Sequence, residues 1–173
     1  MKLLRWVVGI GVATWIGHYL MALAVPHLVM GLLYSRGGDT FGHNTLFVAP
    51  MADDTARTVV RPSPDLIYAI CIYDLAEGPL RIEAPVPARY WSMQFYQMNT
   101  INYAGITNQR DESTRIGTTA NVTLIGPEED PEAYPGEVVQ SPTDRGVMLL
   151  RASAIGDTLL QQAAINASSC APA

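Results

Sequence analysis

The chemistry open to this chain is bounded by where its histidines, cysteines and carboxylates fall. A hydrolytic triad needs a histidine held firmly beside a nucleophile. Of the three histidines, only His43 lies beyond the apolar N-terminal run, and it falls in a glycine-containing connector, Ser35–Asn44, a flexible setting. Zinc takes three or four Cys, His or carboxylate ligands, and this region offers one histidine and two distant cysteines. Asp74 with Glu83 or Asp65 would be the carboxylate pair for acid–base attack on a glycan, although turns and surfaces use acids as readily. The Glu128–Glu132 cluster is broken by Pro131 and lacks the alternating ligands and glycine turn of a calcium loop, so it reads as solvated. Cys71 sits in an apolar run and reads as a small buried hydrophobe. An oxidising compartment would permit a bridge to Cys170, but sequence alone does not establish one. Catalytic residues stay unassigned, and neither metal nor cofactor is expected.

A binding face is more legible. Trp91, Met93 and Phe95 point to one side of a strand, while Tyr90, Ser92, Gln94 and Tyr96 point to the other. Asn99 and Asn102 continue that second side. Uncharged amides among aromatic rings suit a sugar or a neutral protein surface. The outer face of an ordinary sheet would also carry them.

The N-terminus sets the address. No Asp, Glu, Lys or Arg occurs between Trp6 and Leu33, a run longer than the roughly 20 residues a helix needs to cross a bilayer. Lys2 and Arg5 precede it, so the N-terminus is expected in the cytoplasm and everything after Tyr34 across the membrane. Ala22-Leu23-Ala24 offers a signal-peptide cleavage site, but the apolar run outlasts a signal core, which favours a retained single-pass anchor. Gly9, Ala13 and Gly17 stack on one helical face and would let two membrane helices approach closely. His18 and His27 fall on opposite sides of that helix, so one chain cannot use both for one haem or metal.

Beyond Tyr34, nine basic residues face all sixteen acidic ones, a net of −7 with no lysine. Nucleic acid and anionic lipid headgroups want the opposite sign and are excluded as partners. The expected organisation is an anchor over 1–34, a connector over 35–58 and an exported domain over 59–173.

The elements that must position these residues follow from pattern. Met51–Arg57 reads as a short acidic-capped helix, which Pro62 and Pro64 end. Leu66–Tyr73 is apolar on both faces, as in a strand covered on both sides. Gly78-Pro79 turns the chain into an alternating strand through Leu80, Ile82 and Ala84, and Pro85 and Pro87 mark the next corner. Weaker strands are expected at Asn121–Ile125 and Val138–Gln140, and a stronger one at Gly146–Arg151. A terminal helix would bury Ile155, Leu159, Leu160, Ala163 and Ala164, with Ser153 or Asp157 as cap. Ala167–Ala173 reads as a frayed tail.

Tyr68, Asp74-Leu75, Gly78-Pro79 and Arg89-Tyr90-Trp91-Ser92 resemble the core series of the domain-of-unknown-function 1254 family. Ser141-Pro142-Thr143, Leu150-Arg151 and the helix bearing Gln161 or Gln162 resemble its C-terminal part. The similarity, densest over Val59–Asp111, covers about Val59–Asn166. It implies an immunoglobulin-like β-sandwich, here with an N-terminal transmembrane helix and a C-terminal amphipathic helix, and it carries no catalytic residues. Many relatives continue into a 1214-type domain, for which this chain leaves no room. The resemblance therefore implies a non-catalytic subunit or binding module assembling with a second envelope protein that carries the missing domain. An envelope hydrolase acting on glycan or lipid through paired carboxylates is the alternative.

Overall fold

The computed structural model describes residues 2–56, 62–108 and 117–173. Arg57, the expected domain start at Val59 and the outer limit of the resemblance at Asp111 lie outside them.

The uncharged N-terminal run forms one helix, α1 (Lys2–Leu32), with Pro26 inside it. Its side chains are almost all exposed, and by length and composition it could be a membrane anchor or a signal sequence. The helix continues through a π-helical turn (Leu33–Gly37) into α2 (Gly38–Phe41), ending at Gly42, whose φ of 88° suits glycine.

Among the described residues, nine strands make two sheets. Strands β1 (Leu46–Val48), β2 (Leu66–Asp74), β4 (Trp91–Gln97), β5 (Asn102–Thr107) and β8 (Arg145–Ser153) form one, in the order β1-β2-β8-β4-β5. Strands β3 (Leu80–Pro85), β6 (Thr119–Ile125), β7 (Glu137–Gln140) and β9 (Ser169–Pro172) form the other, ordered β7-β6-β3-β9. All pairings are antiparallel except β6 with β7. Period two does the sorting. Ile67, Ala69, Cys71 and Tyr73 of β2 and Trp91, Met93 and Phe95 of β4 share one apolar cluster with Leu80, Ile82, Ala84, Val122 and Leu124 of the opposite sheet. Burying this cluster is the main driving force for folding.

Several local expectations are corrected. Residues 51–56 are irregular rather than helical, because the Asp53 carboxylate accepts from the Thr55 amide (2.8 Å) and hydroxyl (2.7 Å) in a local turn. The tail does not fray: β9 pairs with β3, and Cys170 is bridged to Cys71 of β2, tying the two sheets together. Cys71 is thus buried but not free. Strand β5 was not anticipated.

Helix α3 (Thr158–Asn166) is capped by Asp157, whose carboxylate accepts from the Leu160 amide at 3.3 Å, while Ser153 serves elsewhere. It buries Gln161 and Ile165, and leaves Leu159 and Leu160 83% and 66% exposed. Ile155 precedes the helix and is exposed, as is Ala163. The stripe read from sequence was rotated, because a buried glutamine is invisible to an apolar pattern.

The connector also joins the fold. Met30, Leu33, Tyr34 and Phe41 pack against Ile70, Ile72, Val147, Tyr96 and Met98, a second cluster on the outer face of the five-stranded sheet. That is why β2 is apolar on both sides.

Candidate functional site

The residues expected to form a binding face lie on β4, β5 and their hairpin, and their polar atoms are largely spent on one another. Ser92 is buried, 2.9 Å from the Tyr90 hydroxyl, and accepts from Arg151 Nε at 3.3 Å. The Asn102 amide donates to Gln94 Oε1 at 3.0 Å. Tyr96 packs under the end of the N-terminal helix. Asn99 lies in the β4–β5 turn, where its carboxamide oxygen accepts from the Ile101 amide at 3.0 Å. One edge of the face is therefore covered, and Gln94, Asn102 and Tyr90 remain reachable.

At the far edge of that face the chain builds a polar joint that the sequence did not reveal. Tyr34, at the end of the apolar run, donates to Asp74 Oδ2 at 2.5 Å, and Arg145 Nε donates to the same oxygen at 3.0 Å. The Arg145 guanidinium carbon stands 5.0 Å from the Tyr34 ring centroid, a cation–π contact. Asn44 exchanges two bonds with the Asp74 backbone, donating to its carbonyl (2.8 Å) and accepting from its amide (2.7 Å). Burial alone would raise the Asp74 pKa. The bonds from Tyr34, the Ala76 amide and Arg145 outweigh it and hold the carboxyl below the usual aspartate value.

His43, expected in a flexible stretch, is instead packed: its ring lies 4.5 Å from that of Tyr34 and directly over Gly38, where a β-carbon would overlap it. Asp74 thus takes Arg145 as its ion-pair partner. Arg89 lies against Gly156 at the other end of the sheet.

The carboxylates proposed for acid–base work are dispersed. Asp65 precedes β2 at the end opposite Asp74, and Glu83 is on the other sheet, paired with Arg81 at 2.8 Å. Among the described residues no three His, Cys, Asp or Glu side chains gather as a metal would need. Within the core the Tyr73 hydroxyl meets those of Tyr103 (2.9 Å) and Ser141 (3.0 Å), and burial raises both tyrosine pKa values, so these phenols stay protonated structural bonds.

Cavities open beside the two sheets. One, about 290 Å³, opens beside the joint, lined by Asp74, Met98, Thr143, Asp144 and Arg145. The other, about 450 Å³, lies under α3 between Pro85, Arg89, Thr118, Asp157, Leu160 and Gln161. Gln161 Oε1 is buried there without a hydrogen-bond partner among the described residues. Gly9, Ala13 and Gly17 form one stripe on α1, and a β-carbon at either glycine would meet only open space.

Two packed sheets, a covalent tie between them and a long apolar N-terminal helix define a mainly β-type protein with a possible transmembrane segment. The family model "Protein of unknown function (DUF1254)" matches residues 39–168, and the chain belongs to that family.

Among solved structures it is similar to the VPA0106 protein from Vibrio parahaemolyticus, at 13% identity and a TM-score of 0.63 over 88% of this chain and 36% of that one. It is also similar to a putative uncharacterized protein from Burkholderia cenocepacia, at 12% identity and a TM-score of 0.48 over 82% of this chain and 38% of that one. The chain thus spans little more than a third of the length of either. The likeness to the Vibrio structure supports the fold alone. No curated protein matches significantly.

Proposed function

We propose that this protein is a membrane-anchored envelope subunit, an immunoglobulin-like domain held at the periplasmic face of a bacterial inner membrane by α1, which docks a second envelope protein carrying a 1214-type domain. The observation that carries the reading is the pair Leu159 and Leu160, 83% and 66% exposed on α3, with Ile155 also exposed just before the helix. Large apolar side chains grouped on a surface mark an interaction site more often than chance exposure does. The alternative docking face, Tyr90 to Asn102, is weaker, because its polar groups already bond to one another and Tyr96 lies under the anchor. The dispersal of Asp65, Asp74 and Glu83 leaves the paired-carboxylate hydrolase without an observation in its favour.

The test is co-purification of tagged full-length chain in mild detergent at native expression, with captured proteins identified by mass spectrometry. A 1214-type protein should be held through high salt, because the contact is apolar. The double change Leu159→Glu, Leu160→Glu should release it without altering thermal stability. A monomer free of any 1214-type protein would refute the subunit reading.

A further inference from the structure

The base of α1 fixes which end of the domain faces the bilayer. Tyr34 bonds to Asp74, a β-carbon at Gly37 would meet the Ile72 side chain, and Phe41 stacks on Phe47, whose register partner is Ile70. Successive helix positions thus meet β2 in descending order. The helix runs antiparallel to β2, and α1 leaves the domain past its Asp74 end. Beyond that level projects the β4–β5 hairpin tip. Gln97 pairs with Gly146, which in turn faces Tyr73, so Met98 to Ile101 lie further out. The tip is a tight turn closed by the Thr100 amide on the Gln97 carbonyl (3.0 Å) and the Gln97 amide on the Ile101 carbonyl (3.1 Å). Its Ile101 side chain is 56% exposed.

Length then sets the height. At 1.5 Å per residue, the helix from Arg5 to Tyr34 rises about 44 Å. A bilayer with both headgroup layers is about 40–45 Å thick. With Arg5 among the cytoplasmic headgroups, Tyr34 reaches the opposite headgroup layer and no free tether remains between membrane and domain. Leu28, Val29 and Leu32 are exposed apolar side chains right up to the docked turn, so the apolar surface has no break at which the domain could stand clear.

We propose that the Asp74 end of the domain is seated in the bilayer interface, with the hairpin tip Met98–Ile101 dipping into it as a second membrane contact. The proposal rests on the anchored reading given above. Charge at this end is mixed, with Glu77 and Asp144 beside the paired Asp74 and Arg145. The lipid it fits is therefore zwitterionic, and the contact is apolar. The opposite end, where α3 follows Ser153, lies about 26 Å away along β8 at 3.3 Å per residue and points into the aqueous space.

Spin labels on full-length protein in phosphatidylcholine vesicles test this, one each at Ile16→Cys, Ile101→Cys and Leu159→Cys. The native cysteines are bridged and buried, so only the introduced thiols react. Collision with oxygen should exceed collision with a water-soluble nickel chelate at 16 and 101, the latter reading shallower, and the order should reverse at 159. An aqueous reading at 101 with a membrane reading at 16 overturns the seating while leaving the anchor intact. Aqueous readings at both positions overturn the anchored reading, and the seating falls with it.

Discussion

Removing the Cys71–Cys170 bridge should cost about as much stability as truncating a large buried core side chain. The two cysteines are 99 residues apart in sequence. In the chain-entropy account, closing a loop of that size restrains the unfolded state by about 4.7 kcal/mol, a ceiling that strain and residual structure usually reduce to about 2–4. Taking about 3 kcal/mol, and a urea dependence of about 1.5 kcal/mol per molar, the unfolding midpoint should fall by about 2 M. That is a large share of the roughly 5–15 kcal/mol that a domain possesses. The perturbation is the double change Cys71→Ala, Cys170→Ala, which leaves no lone thiol. The assay is urea unfolding of detergent-solubilised full chain, followed by fluorescence of Trp91, which is buried in the core. Reducing agent added to the unmodified protein should give the same shift. A midpoint within about 0.3 M of the parent would refute the reasoning, since it would leave β9 held by its pairing with β3 alone.

Three other outcomes are expected. Gly38→Ala should destabilise by about 1–3 kcal/mol through overlap with the His43 ring. Alanine in an open helix position gains up to about 1 kcal/mol over glycine, so Gly9→Ala, facing open space, should not lose stability; thermal melts of both variants check the difference in sign. The Asp74 carboxyl has a depressed pKa, so its contribution is complete above the ordinary aspartate value near 4 and disappears as pH falls through the lower folded value. The melting temperatures of the parent and Asp74→Asn should therefore differ at neutral pH and converge below about pH 4; a gap constant from pH 7 to pH 3 would refute the joint.

How much of this was legible depends on whether an element carries its own signal. Leu80–Ala84 and Trp91–Phe95 declare themselves by alternation, Leu66–Tyr73 by its continuous apolar run, and all three by the Gly-Pro and Pro-x-Pro corners; each became a strand. Strands β5 and β9 are short edge strands whose formation depends on the partner edge, Phe95 to Ser92 for one and Leu80 to Glu83 for the other. Nothing local in Ser169–Pro172 announces pairing, and the bridge could not be read without knowing that β9 lies beside β3. On α3, Gln161 takes a buried position that apolar periodicity assigns to leucine, so the stripe was placed a step out of phase.

The site was less legible than the fold, for a reason β2 itself supplies. Its apolar outer residues, Ile70 and Ile72, required a cover, but the pattern could not name one, because the covering residues Met30, Leu33 and Tyr34 read as the last turn of a membrane helix. A segment can serve two environments when its composition suits both. Here the same apolar run that would cross the bilayer ends on the sheet, and Tyr34 turns its hydroxyl to Asp74 where the lipid would stop. The end of α1 and the β4 face are therefore packed as one unit rather than as a tether and a free surface. A partner docking as proposed would meet the opposite end of the domain, where α3 exposes Leu159 and Leu160.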